Sequence, residues 1–226
     1  YRPRGTMARQ VRLKLEMDGQ WAIEDLTDLS HALRLSYSYF YWISDDSGLA
    51  PPRVQSMFAR YFWSGEYIGE RFAHNLYNEI PDDSRLQLVS IRYSSPGFIE
   101  LAGLFGVILL LARCCKAWLE VAEKAGDLYG KVMKFFDERK LKRIPKKVDV
   151  DIVEPRDIDD ARALCFEYGS FLGFTTNHIE YLIDLTGNPI SALRLLVALS
   201  SEARRMISLE QQGKLKFPSS IKEPPM

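Results

Sequence analysis

The stretch from Phe98 to Phe136 constrains this chain more than any other. From Phe98 to Ala112 the only charged residue is Glu100, and beyond Cys114 the apolar residues become one-sided. Steps alternating between three and four connect Leu104, Val107, Leu111, Cys114, Trp118, Val121, Ala125, Leu128, Val132 and Phe135 into one seam. Such spacing lays side chains along one stripe of an α-helix. A helix apolar on all sides has to be buried, while a striped one covers a single neighbour. The spacing therefore predicts a long central helix over 98–144, of about 45 residues and roughly 65 Å at 1.5 Å per residue. A compact body of this length is narrower than that, so the helix either protrudes or breaks near Gly126 and Gly130.

Ser94-Ser95-Pro96-Gly97 precedes the run and reads as a helix start, with serine as N-cap and proline in the first turn. Upstream, Arg85 to Tyr93 alternates as a strand with mixed faces, and Arg9 to Met17 alternates more cleanly before stopping at Asp18-Gly19. We expect these two strands to pair. Between them, Ala22, Leu26, Leu29, Leu33, Tyr37 and Phe40 recur at helical spacing, although Leu35, Tyr37, Tyr39, Tyr41 and Ile43 also alternate. A further helix is expected from Pro51-Pro52 to Pro81, weakened at Gly65 and Gly69. After the central run come three apolar-periodic segments: one opening at Asp157, one at Asn177 and ending at Thr186-Gly187, and one beginning at Asn188-Pro189.

The expected fold class is α+β and predominantly α-helical. A small two- or three-stranded sheet packs with a long central helix and a C-terminal helical bundle. Residues 1–6 read as a cloning scar ahead of a natural start at Met7. The N-terminal α/β part then spans 7–97, the central helix 98–144, a linker 145–156 and the C-terminal helical part 157–213. Residues 214–226 read as a disordered tail.

Thirty basic and thirty acidic residues cancel, so no global field steers the chain toward nucleic acid or anionic lipid. Three cysteines, two of them adjacent, give neither a disulfide framework nor metal-ligand spacing, and they fit a reducing, cytoplasmic setting. Nothing in the sequence calls for a cofactor or a metal. Asp28 with His31, and Glu70 with His74, have spacings that could orient an imidazole, but such pairs are common on charged helices. These readings lean away from an enzyme.

Other residues carry candidate binding functions. Ser94 and Ser95, at a strand-to-helix junction, are candidate anion-binding residues, without the glycine spacing or lysine of a P-loop. Lys140, Lys142, Arg143, Lys146 and Lys147 form a basic patch within the segment 131–147, able to contact phosphates. The uninterrupted apolar run Leu101–Ala112 is too short to span a bilayer, yet it could associate with a membrane in another state.

The leading expectation is a non-enzymatic protein-interaction or assembly protein. It would self-associate through Leu104, Val107, Leu111, Trp118, Val121, Leu128, Val132 and Phe135, with itself and another protein as partners. A membrane-associating effector using Phe98–Ala112 is the alternative, and nucleic-acid binding through 131–147 ranks third.

Overall fold

A computed structural model describes residues 10–44, 50–60, 66–120, 122–139 and 154–218. Strand β1 (Gln10–Met17) realises its alternation in full: Val11, Leu13, Leu15 and Met17 are buried, and the residues between them are exposed. Helix α1 (Ile23–Ile43) follows, and every residue from Leu35 to Ile43 is buried. That explains why helical and alternating patterns coexist there: a segment enclosed on all sides carries no period. The start of α1 is held by Asp25, whose carboxylate accepts from the Ala22 N–H at 2.8 Å and from Lys214 Nζ at 2.6 Å. The lysine contact first, and the backbone N–H second, hold this carboxyl below the usual carboxylate range.

The segment expected as one helix up to Pro81 contains α2 (Pro52–Ala59) and α3 (Glu66–Asn78); residues 61–65 lie outside the described residues. A short 3-10 turn at Asp82–Ser84 leads into β2 (Gln87–Arg92), which turns back into β3 (Gly97–Leu104).

Here the structure corrects the sequence reading. The central helix does not begin at Phe98: Gly97–Leu104 is a strand, alternating buried Ile99, Leu101 and Gly103 with half-buried Phe98, Glu100 and Ala102. Ser94-Ser95-Pro96 is a hairpin turn with a cis Ser95–Pro96 bond, and a side chain on Gly97 would collide with the Arg92 and Ser94 carbonyls. Turn and helix start draw on the same serine and proline residues, so the four-residue signal alone does not separate them.

Helix α4 (Phe105–Glu120) starts where β3 ends, and α5 (Ala122–Glu138) continues the chain. Gly126 and Gly130 sit inside α5 without ending it. Three helices then pack together: α6 (Pro155–Phe171), α7 (Thr176–Thr186) and α8 (Pro189–Gln211). The caps shift slightly from expectation. Glu154 precedes α6, and Thr175 caps α7 by accepting from the His178 N–H. Asn188 caps α8 by accepting from the Ser191 N–H, as the Asn-Pro signal implies.

A two-residue strand β4 (Leu215–Lys216) completes an antiparallel four-stranded sheet of order β2-β3-β1-β4. The two expected strands are therefore not neighbours, because β3 lies between them. In β1 and β3 the register sets Leu13 against Leu101 and Leu15 against Ile99 on the helix-covered face. The other face is polar: Arg12 pairs with Glu100 at 3.2 Å, and Lys14 Nζ lies 4.2 Å from the centre of the Phe98 ring.

The fold is α+β and mostly helical, with the sheet on one side. The most enclosed helix is α8, not the central run. Sixteen of its 23 residues are buried, and it packs on α1, α4, α6 and α7. Even Arg194 is buried there, with its guanidinium 5.6 Å from the centre of the Phe136 ring.

Candidate functional site

The expected self-association seam faces inward. Leu104, Val107 and Leu111 are buried where α4 meets α1, α8 and the sheet, and Leu128, Val132 and Phe135 are buried along α5. Trp118 and Val121 lie outside the described side chains. Helix α5 is fastened to α6 by Lys131–Glu167 at 2.6 Å, and Arg139, just past its end, reaches Asp157 at 2.6 Å and Asp160 at 3.2 Å. The six described side chains of the seam are covered by their own chain.

Ser94 and Ser95 do not sit at a helix N-terminus. Ser94 Oγ donates to the Pro96 carbonyl at 2.6 Å, and Ser95 Oγ donates to the Asp18 carboxylate. That hydrogen bond, followed by the Gly19 N–H, holds Asp18 below the usual carboxylate range. A carboxylate already takes the Ser95 hydroxyl and the Pro96 carbonyl takes that of Ser94, so the two serines do not form the expected anion site. Lys140, Lys142, Arg143, Lys146 and Lys147 lie outside the described residues.

The groups that could carry chemistry are dispersed or buried. His74 Nε2 lies 3.3 Å from the amide of Asn78, and His178 Nδ1 accepts from the Thr175 N–H at 3.4 Å within the α7 cap. Burial pushes the Cys114 thiol up to about 12 and drives Cys115 and Cys165 upward as well, which leaves no reactive thiolate at neutral pH. Cys165 Sγ donates to the Pro189 carbonyl at 3.1 Å. Among the described residues no cluster of three or more His, Cys, Asp or Glu side chains could hold a metal ion.

What the fold does leave open is the β2 side of the sheet. Among the described residues strand β2 is an edge, and one row of its backbone donors and acceptors has no neighbouring strand there. Against β3 its register slips between Leu88 and Ser90: Leu88 pairs with Leu101, Ser90 with Glu100 and Ile91 with Ile99. This bulge puts Leu88 and Ile91 on the same face, although simple alternation assigns them to opposite ones.

That face continues the one covered by helices, but α1 does not extend over it. A groove of about 470 Å³ remains between the first half of α1 and the strand ends. Its walls include Leu26, Leu33, Tyr77, Leu88, Ile91 and Leu101 and, among the described residues, no Asp or Glu. Arg34 is the only charged lining residue among those described, with its guanidinium 5.9 Å from the centre of the Tyr77 ring.

Exposure singles this place out. Among the described residues the large apolar side chains left in water are Ile23 (75%), Leu88 (61%), Val89 (41%), Ile91 (49%) and Tyr93 (67%). Four belong to β2 or directly follow it, and Ile23 lines the facing wall of the groove. The sequence reading missed them because a half-covered strand and an exposed one share the same apolar content. The usable signal was the break in alternation at Val89, with apolar residues three apart instead of two or four.

No protein-family model, curated protein or solved structure matches this chain significantly.

Proposed function

We propose that this chain is a non-enzymatic protein-interaction protein, and that it binds through the open edge of β2 and the groove beside α1. The observation that carries the reading is the gathering of exposed large apolar side chains at this one place, while the longer apolar seam is covered internally. Contiguous apolar patches on a protein surface mark contact sites more often than accidents. An unpaired strand edge beside an apolar groove suits an extended partner segment, with main-chain hydrogen bonds giving affinity and alternate side chains giving specificity.

The other readings have less support. A membrane-associating role built on Phe98–Ala112 would have to dismantle β3 and expose Val107, Ile108 and Leu111, all buried. Among the described residues no single helix is long and apolar enough to cross a membrane, and the bent pair that passes by length and composition is α7 with α8. Nucleic-acid binding would rest on residues 140–147, which lie outside the described part.

The test replaces Leu88 and Ile91 together with Asp and uses wild type and variant as baits in an extract of the source cells. Leu88 is mostly and Ile91 about half in water, so melting should stay within about 3 °C of wild type, the scale of a sub-kcal/mol change. Any specific partner should be retained about tenfold less or worse, the effect of removing two apolar anchors. Equal retention of the same proteins by both baits would overturn the assignment of this surface.

A further inference from the structure

We infer that the segment taken up by the groove is an extended apolar peptide of about five residues with an acidic residue at each end, one for Arg34 and one for Arg92. The inference rests on the docking reading above and names the chemistry of the partner. The groove follows α1 from Ile23 to Arg34. At 1.5 Å per residue that is roughly 16 Å, the length of about five residues of strand. Over this length the bulge presents Leu88 and Ile91 on the groove face, so the middle of the segment meets apolar side chains.

The charges at the two ends are both basic. Arg34 lies over the Tyr77 ring, and the Tyr77 hydroxyl donates to the Leu86 carbonyl at 3.3 Å, so this guanidinium stands near the start of β2. It is half-buried and, among the described residues, makes no ion pair or hydrogen bond. Arg85 also lies over Tyr77, but it is already matched by Asp82 at 2.5 Å and by the carbonyls of Ile80 and Asn78. Arg92 closes β2 at its other end, is the only charged residue of the strand, and makes no ion pair among the described residues.

A wholly apolar segment laid in the groove would shut Arg34 away from water with its donors unmatched. Covering a charge without pairing it costs more than a few apolar contacts return. A carboxylate at that place accepts two guanidinium donors side by side. A basic segment would instead meet like charge at both ends. With an acid at each end, the same composition serves either direction of the added strand.

The two contacts differ in weight. Arg34 is shielded by the segment that covers it. Arg92 lies opposite Phe98 on the polar face and stays in water, where an ion pair is weak and salt screens it.

A phage-displayed library of random decapeptides, panned on the whole protein, tests this. The selected peptides should share an apolar run of about five residues bounded by Asp or Glu on both sides. Fluorescein-labelled synthetic copies of them are then titrated by anisotropy. Arg34→Gln should weaken binding about tenfold, and Arg34→Lys by less, because lysine keeps the charge without the fork. Arg92→Gln should weaken it about two- to threefold at low salt and not measurably at about 0.5 M salt. All three variants should melt within about 3 °C of wild type.

Selected peptides without flanking acids, or equal binding by Arg34→Gln, overturn the inference. If those peptides are nevertheless lost when Leu88→Ser and Ile91→Ser are combined, the docking surface stands and takes a partner of different chemistry. Peptides that bind this double variant as well as wild type, or a library that yields no binder, remove both readings.

Discussion

Leu111→Ala is expected to cost about 3–4 kcal/mol of folding stability, the range for truncating a fully buried leucine. Leu111 is fully buried on α4, which packs against α1, α8, β1 and β3, so the lost methyl groups leave a cavity that several elements would have to move to fill. Leu111→Asp would go further. It sets a carboxylate in apolar surroundings, at a cost comparable to the whole stability of a domain, about 5–15 kcal/mol, and should yield no cooperatively folded protein. Urea denaturation followed by circular dichroism checks both. If Leu111→Asp unfolds at the wild-type midpoint, the seam is not internal and the packing described here is wrong.

Tyr37→Phe is expected to cost about 2–3 kcal/mol, because one hydroxyl serves two buried backbone groups. Tyr37 OH donates to the Ser84 carbonyl at 2.7 Å and accepts from the Leu104 N–H at 3.0 Å. Both partners are buried, so phenylalanine strands an acceptor and a donor together. The geometry leaves little room for adjustment: a Cβ on Gly103 would come within 2.8 Å of the same ring. This hydroxyl joins α1 to the turn before β2 and to the junction of β3 with α4, and so holds the hairpin in place beneath the helix. A loss below about 0.5 kcal/mol in urea titrations would mean that both backbone groups find other partners.

Much of this fold was legible because side-chain period and burial coincide. Strand β1 is the clearest case, since one of its faces is apolar and buried and the other is charged and wet. Helix α8 was placed correctly from Asn188-Pro189, but its central position was not foreseen. Arg194, Ser200 and Glu202 interrupt its apolar pattern, yet all three are buried. The strand β3 was hidden inside the apolar run. Seven residues of alternation merge into the helix after them, and Leu104, the first seam residue, is in fact the last residue of the strand. Gly103 was the available warning, because glycine is costly inside a helix but permits Tyr37 to lie close against a strand. Two residues carry no period at all, which is why β4 escaped notice.

The site was less legible than the fold for a related reason. Apolar content predicts that a surface will be covered, and the richest stretch was accordingly assigned to self-association. The structure covers that stretch from within, using α1, α6 and α8, and leaves the deficit at β2, where a one-residue bulge realigns Leu88 with Ile91. A bulge depends on the neighbouring strand, and in the sequence that neighbour reads as a helix.

The long apolar run is satisfied inside one chain, and β2 is the contact proposed for a partner. Amide hydrogen exchange with and without a partner captured from the extract tests this most directly. Amides of α4 from Val107 to Cys115 should be slow and unchanged between the two conditions, and those of β2 should be fast in the free protein and slow in the complex. If instead β2 is indifferent to the partner while the α4 amides gain protection with it, binding runs through the central helix and the account is contradicted.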